Sequence, residues 1–147
     1  MRSRFVLDTN AWLDWLVFDD PAMAPLKAAV AAGRAEILID AACESELERV
    51  LAYPLGRFSL DAPAQAACLA ECRRVALRVE RAAAPASLPR CRDPDDQKIL
   101  EAAAAAGAHY LVTRDLALLE LARRALPFRI LAPEKIGSDP VFQENGV

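Results

Sequence analysis

Acidic side chains in this chain cluster directly after predicted strands. The apolar run in VLDTN stops at Asp8, and Asp115 comes just beyond LVT. Further acids follow the second predicted strand or precede the helix that leads to the fourth: Asp40, Glu44, Glu46, Asp93, Asp95 and Asp96. Ligands of parallel α/β sheets bind at the edge where strands lead into helices. We therefore expect several of these carboxylates to share one site.

Carboxylates packed together need a neutralising partner. Two unit charges about 4 Å apart repel by on the order of 4 kcal/mol at an effective dielectric near 20. The chain has one histidine, His109, and its four cysteines lack the spacing of a zinc site. Hard oxygen ligands without His or Cys favour Mg²⁺ or Mn²⁺, and one or two such ions can activate water against a phosphodiester. The pattern therefore predicts metal-assisted hydrolysis.

Each acid taken alone also has an ordinary structural explanation. Three of them precede a predicted helix and could simply cap it: Asp8, Asp93 and Asp115. Asp96 could stabilise the helix dipole from the first turn, and Glu46 could pair with Arg49 on an exposed helix face. The argument for a site rests on the coincidence of several acids at one sheet edge.

Polar and basic residues beside the acids have two interpretations each. Asn10 and Thr113 could orient carboxylates or hold metal-bound water, or could satisfy nearby backbone groups. Arg92 and Arg114 flank the acids and could contact substrate phosphates. Salt bridges to neighbouring acids are at least as compatible with their positions.

The elements that must position these residues alternate between strands and helices. Short apolar runs predict strands at 4–7, 36–39, 76–80, 109–113 and 128–131. Helical spacing, caps and breakers predict helices at 10–18, 21–33, 41–53, 62–76, 96–106 and 115–125, with a Pro/Ala loop at 81–92. This alternation predicts βαβ units and a parallel sheet covered on both faces. The tail after Pro133 is predicted to be peripheral.

Composition restricts the remaining classes. A chain of 147 residues with 54% hydrophobic residues fits one domain with a sizeable core. Its net charge of −3 does not support binding through a basic surface alone, so a bound cation would have to offset the acids locally. No segment has the length of a membrane span or the pattern of a secretory signal. Cysteines without a disulfide framework fit the cytoplasm.

Three segments resemble the successive motifs of PIN-domain nucleases: FVLDTNAWLDWL, ESELERVLAYP and CRDPDDQKILEAAAAAGAHYLVTRDLALL. The resemblance covers roughly residues 4–133 and is closest to the bacterial branch described as toxins of toxin–antitoxin systems. It implies a three-layer α/β/α fold with a five-stranded parallel sheet, in a single domain spanning 1–147 with a peripheral tail at 134–147. It also implies a metal-dependent endoribonuclease acting on single-stranded RNA.

The resemblance assigns roles to particular residues. It makes four acids the catalytic and metal-binding residues: Asp8, Glu46, Asp96 and Asp115. Asn10 and Thr113 match polar positions beside these acids, and Asp93 falls within the third motif as a secondary candidate. The family further implies a small antitoxin protein as partner, and a homodimer.

Two other functions remain compatible with the residues. One is a metal-dependent phosphatase with an aspartyl nucleophile, although such enzymes usually carry an acid two positions further on, where this chain has Asn10. The other is a non-catalytic module that binds RNA or protein and keeps its acids for metal-dependent folding. A covalent phosphoenzyme would favour the first, and binding without cleavage in Mn²⁺ would favour the second.

Overall fold

A central parallel sheet organises the computed structural model, which describes residues 2–80 and 88–138. Its five strands run β3-β2-β1-β4-β5 across the sheet, and each neighbouring pair is parallel. The strands are β1 (Ser3–Leu7), β2 (Ala35–Ile39), β3 (Ala76–Arg78), β4 (Tyr110–Val112) and β5 (Arg129–Leu131). The predicted parallel sheet is confirmed.

Helices cover both faces of the sheet. The α-helices are α1 (Thr9–Leu16), α2 (Ala24–Ala31), α3 (Ala41–Leu51), α4 (Ala62–Val75), α5 (Pro94–Ala105) and α6 (Leu116–Leu119). Side chains of β1 alternate between two cores, with Phe5 and Leu7 facing α1–α4 and Val6 facing α5 and α6. Such alternation follows from the two-residue period of a strand. The structure therefore has the predicted three α/β/α layers.

The strand order places a topological switch beside β1. From β1 the chain crosses to β2 and β3 on one side, then returns to β4 and β5 on the other. The crossovers leave a crevice at the carboxyl ends of β1 and β4, which is where ligands bind in open α/β sheets. Asp8 directly follows β1, and Asp115 lies three residues beyond β4. The fold therefore brings these two acids to the switch point.

The structure differs most from the predicted elements in two places. The predicted strand at 76–80 is shorter, Ala76–Arg78, because it is a half-exposed edge strand. The predicted helix at 115–125 is α-helical only over Leu116–Leu119 and then tightens to a 3₁₀ helix, Glu120–Arg123. Apolar spacing does not distinguish these two helix types in so short a segment. The predicted loop at 81–92 falls partly on 81–87, outside the described residues.

The segment after Pro133 is not wholly peripheral. Residues Pro133–Ser138 form a 3₁₀ helix, and Ile136 within it is fully buried in the core beside Met23 and Leu26. Pro133 is buried as well, and nothing in a short polar stretch predicts the burial of either residue. Residues 139–147 lie outside the described part. Within 2–80 and 88–138, no helix has the length and apolar character to cross a membrane.

Candidate active site

A cavity of about 340 Å³ opens at the switch point between β1 and β4. Four predicted acids line it: Asp8, Glu46, Asp96 and Asp115. They arrive from the end of β1, from α3, from the first turn of α5 and from the start of α6. Distant segments of the sequence thus bring their carboxyl groups to one crevice.

Thr113 connects two of these acids. Its hydroxyl donates a hydrogen bond to Asp8 Oδ2 at 2.8 Å and accepts one from the backbone N–H of Asp115 at 3.0 Å. The second oxygen of Asp8 accepts from the backbone N–H of Thr9, also at 2.8 Å. Because Thr113 is fully buried, this relay holds the Asp8 carboxylate and the turn carrying Asp115 in fixed positions.

The environment of Asp8 opposes its negative charge. Burial raises the pKa of Asp8 above its usual range, and the charges of Asp115 and Glu46 add to the effect. Hydrogen bonds from Thr113 and Thr9 act in the opposite direction. A cation in the cavity would relieve this penalty.

Asp96 is the most perturbed acid of the site. It is 9% exposed, and its Oδ2 atom is buried without a hydrogen-bond partner among the described residues. Burial raises the pKa of Asp96 to about 7, helped by a hydrogen bond shared with the Asp115 carboxyl and by the charges of Asp115, Asp93 and Asp8. A buried carboxyl oxygen that no donor reaches costs free energy unless a proton or a cation binds it.

Glu46 is held by a neighbour on its own helix. Its side chain lines the cavity but is 44% exposed and accepts a hydrogen bond from Arg49, three residues later in α3. The salt bridge considered from the sequence is therefore present, and it coexists with a position at the cavity. Glu46 would have to release Arg49 in order to bind an ion.

The donor set suits a hard divalent cation, although the side chains are not yet gathered around one point. Carboxylate oxygens are the ligands that Mg²⁺ and Mn²⁺ prefer, and Asp96 offers one that lacks any other partner. In the described ranges 2–80 and 88–138, no three His, Cys, Asp or Glu side chains stand close enough to hold an ion as they are. Asp8, Asp96 and Asp115 would have to draw inward, and Glu46 would have to leave Arg49.

The other predicted residues are distributed around the cavity. Asn10 is exposed at its lining. Asp93 caps α5 by accepting from Asp95 N at 2.9 Å, as its position before a proline predicts. With Arg92, Asp93 lines a second cavity on the other side of Asp115. Arg92 forms an exposed ion pair with Glu120 at 3.1 Å.

Arg114 stabilises the fold through ion pairs and does not line the cavity. Its guanidinium donates to Asp14 at 2.8 Å, to Asp20 at 2.9 Å and to Glu134. The salt-bridge interpretation of Arg114 thus describes its contacts. Asp14 is only 7% exposed, and Arg114 is its ion-pair partner. Arg114 ties the turn before Asp115 to α1, to the 3₁₀ helix Pro21–Met23 and to the segment after Pro133.

Two acids that follow β2 do not reach the cavity lining. Asp40 caps α3 by accepting from Cys43 N at 2.8 Å. Glu44 is buried and accepts hydrogen bonds from Arg73 and Arg78, at 2.7 and 2.6 Å. About half a helical turn therefore separates Glu44, a structural acid, from Glu46, a cavity acid.

Two basic residues line the cavity, Arg49 and Lys98. Sequence reasoning considered Arg49 only as a partner of Glu46 and did not consider Lys98. The available signal was their spacing. Arg49 lies one turn after Glu46, and Lys98 lies two residues after Asp96 in the same helix.

An open α/β/α sandwich with an acidic crevice at its switch point is an arrangement that suits metal-assisted hydrolysis. A sequence model described as PIN domain matches residues 4–117, which includes all four acids and more than three quarters of the chain. The chain therefore belongs to the PIN-domain family. Members of this family are generally metal-dependent nucleases, so the family indicates a nucleic-acid substrate and a divalent metal ion. A search of curated proteins found no match.

Proposed function

We propose that this protein is a Mg²⁺- or Mn²⁺-dependent endoribonuclease that hydrolyses phosphodiester bonds of single-stranded RNA. The observation that carries the proposal is the buried Oδ2 atom of Asp96, which no donor of the described residues reaches, in the same cavity as Asp8 and Asp115. Membership of the PIN-domain family supports the nuclease class. The resemblance of the motifs to the bacterial toxin branch supports RNA as the substrate.

The four acids take different roles in this proposal. Asp8, Asp96 and Asp115 would hold one or two ions, with Glu46 as a direct or water-mediated ligand. When bound, the metal supplies a water of lowered pKa and stabilises negative charge on the phosphodiester. Thr113 orients the Asp8 carboxylate through the hydrogen bond at 2.8 Å. Asp96 must be deprotonated to act as a ligand, so metal affinity should rise as the pH passes its raised pKa.

Substitution of Asp8 tests the assignment. Asp8→Asn keeps an oxygen that can accept from Thr113 but removes a ligand charge, so we expect loss of cleavage in Mn²⁺ with an intact fold. Because the pKa of Asp8 is raised by burial, the variant should unfold at the same or higher urea concentration than wild type. Asp19→Asn is the matched control, since Asp19 is exposed and pairs with Lys27 away from the cavity. Full metal-dependent cleavage by Asp8→Asn would refute the assignment.

The same preparation distinguishes the other functions. An RNA oligomer labelled at its end should yield discrete shorter products in Mn²⁺ and none in EDTA. Binding without cleavage in Mn²⁺ would instead indicate a non-catalytic module. A burst of acid-stable phosphoenzyme would indicate a phosphatase with an aspartyl nucleophile.

We also propose that the protein is the toxin of a toxin–antitoxin pair and forms a homodimer. Both proposals rest on the resemblance to the bacterial branch. Induced expression should slow growth, and co-expression of a small protein encoded beside it should restore growth and co-purify with it. Unchanged growth on expression of an active nuclease would contradict the toxin role, and a monomer mass in light scattering would contradict the dimer.

A further inference from the structure

The end of α3 and the turn that follows it present a basic and an aromatic side chain beside the acidic cavity. Arg49 lines the cavity with its side chain 61% exposed. Tyr53, four residues later, is 48% exposed and is one of three large hydrophobic side chains that the described residues leave exposed.

Arg49 lies within reach of both Tyr53 and Glu46. The Tyr53 hydroxyl is the largest cause that raises the pKa of Arg49, and the Glu46 carboxylate is the next largest. Glu46 also accepts a hydrogen bond from Arg49. No buried acid of the described residues depends on Arg49. Arg114, in contrast, is engaged by Asp14, one of the buried acids of the fold.

A second cation stands on another side of the cavity. Lys98 projects from α5 and is 75% exposed, with Asp95 3.9 Å away as an exposed partner. The cavity therefore has acids at its base and an exposed basic residue on each of the two helices that border it, α3 and α5. A polyanion can approach such a site by replacing exposed carboxylates at the rim.

Single-stranded nucleic acid is held by two kinds of contact. Arginine or lysine neutralises phosphates, and aromatic side chains stack on unpaired bases. A guanidinium is well suited to phosphate because its planar donors match two oxygens at once. Arg49 and Tyr53 supply both kinds of contact next to the proposed catalytic acids.

We propose that Arg49 and Tyr53 form the surface that binds single-stranded RNA, with Arg49 on a phosphate and Tyr53 stacked on a base. This inference rests on the proposed function for the choice of RNA. Glu46 competes with the phosphate for Arg49, so the ion pair between them covers the binding group while the cavity is empty of substrate. Lys98 contacts the RNA at the point where the RNA continues across the cavity towards α5.

Binding can be measured apart from cleavage. The fluorescence anisotropy of an end-labelled RNA oligomer, titrated with protein in EDTA at several salt concentrations, gives the affinity and its salt slope. Arg49→Gln should weaken binding and reduce the magnitude of the slope by about 0.7, the value for one phosphate contact on a single strand. Arg123→Gln is the matched control, because Arg123 is exposed on the segment before β5 and outside both cavities at the site. Equal slopes for the two variants would overturn the phosphate contact.

The stacking contact has a different signature. Tyr53→Leu should weaken binding of the single strand by at least about five-fold, with the salt slope unchanged. The duplex of the same sequence should bind Tyr53→Leu and wild type equally, because its bases are not free to stack on a side chain. Equal losses for single strand and duplex, or no loss for either, would overturn the role of Tyr53. Since Tyr53 is exposed, the variant should keep the wild-type urea midpoint.

The role of Glu46 is tested by a double-mutant cycle. Glu46→Gln should tighten RNA binding in EDTA by freeing Arg49. If the ion pair covers Arg49, Arg49→Gln will cost more affinity in the Glu46→Gln background than in wild type. Additive effects would show that Glu46 acts only as a nearby negative charge and would overturn the competition. If RNA binds through Arg49 but is not cleaved in Mn²⁺, the proposed nuclease activity is refuted and the proposed RNA-binding surface is retained.

Discussion

The Asp96 carboxyl should make the stability of the metal-free protein fall as the pH rises. Its pKa is raised from 3.8 to about 7, chiefly by burial and next by the shared hydrogen bond with Asp115. Between these values the folded protein binds more protons than the unfolded chain, so the free energy of unfolding decreases with increasing pH. The full shift corresponds to on the order of 4 kcal/mol, lost once the pH exceeds the folded value.

Asp96→Asn removes this titration without changing the shape of the side chain. The variant should be more stable than wild type by up to about 4 kcal/mol at about pH 8.5, and the difference should shrink towards about pH 5. Urea unfolding followed by circular dichroism, in EDTA and across this pH range, measures it. Asp95→Asn is the matched control, because Asp95 is the preceding residue and its side chain is 92% exposed.

A difference between Asp96→Asn and wild type that stays constant across the pH range would refute the reasoning. An equal pH-dependent gain in stability in Asp96→Asn and Asp95→Asn would show that the pH dependence comes from general charge repulsion rather than from this buried carboxyl. Adding Mn²⁺ to wild type should remove most of the difference, because a bound cation favours the charged form of Asp96.

Three further predictions concern Thr113, Arg114 and Cys72. Thr113→Val should lower the free energy of unfolding by roughly 1–3 kcal/mol in urea, because Asp8 loses a buried donor; an unchanged midpoint would contradict the relay. Arg114→Gln should cost about 1–3 kcal/mol by leaving the buried Asp14 without its cation, and Arg114→Lys should recover only part of this; full recovery by lysine would contradict the multi-partner geometry. Burial raises the pKa of Cys72 to about 12, with a contribution from Glu44, so mass mapping after iodoacetamide treatment should find it unmodified until the protein unfolds.

The parts of the fold that are encoded locally could be predicted from the sequence. Apolar runs such as RFVL and EILI predict buried strands, because strands covered on both faces lose the alternation of apolar and polar residues. Both runs lie in buried strands of the structure. Asp93 before Pro94 marked the start of α5, since the cap and the fixed proline φ both favour that position. The convergence of Asp8 and Asp115 followed from parallel strands alone.

Long-range ion pairs could not be predicted in the same way. Asp14 and Glu44 are both buried, yet in the sequence they are indistinguishable from acids on an exposed helix face. Their burial depends on Arg114, Arg73 and Arg78, which lie far along the chain. The choice between a phosphate contact and a salt bridge for Arg114 also depends on which acids of distant segments lie close to it. Position within a motif does not show which acid forms an ion pair with a given arginine.

The 3₁₀ helix Pro133–Ser138 is translated after every strand of the sheet. A nascent chain that has already paired β5 with β4 still lacks Glu134 and Ile136 until this segment leaves the ribosome. During that interval Arg114 is anchored by Asp14 and Asp20 alone, and the pocket that Ile136 fills is open. The turn carrying Asp115 therefore acquires its final support only after the last of the five strands has been synthesised, so the sheet can form before the geometry of the acidic crevice is fixed.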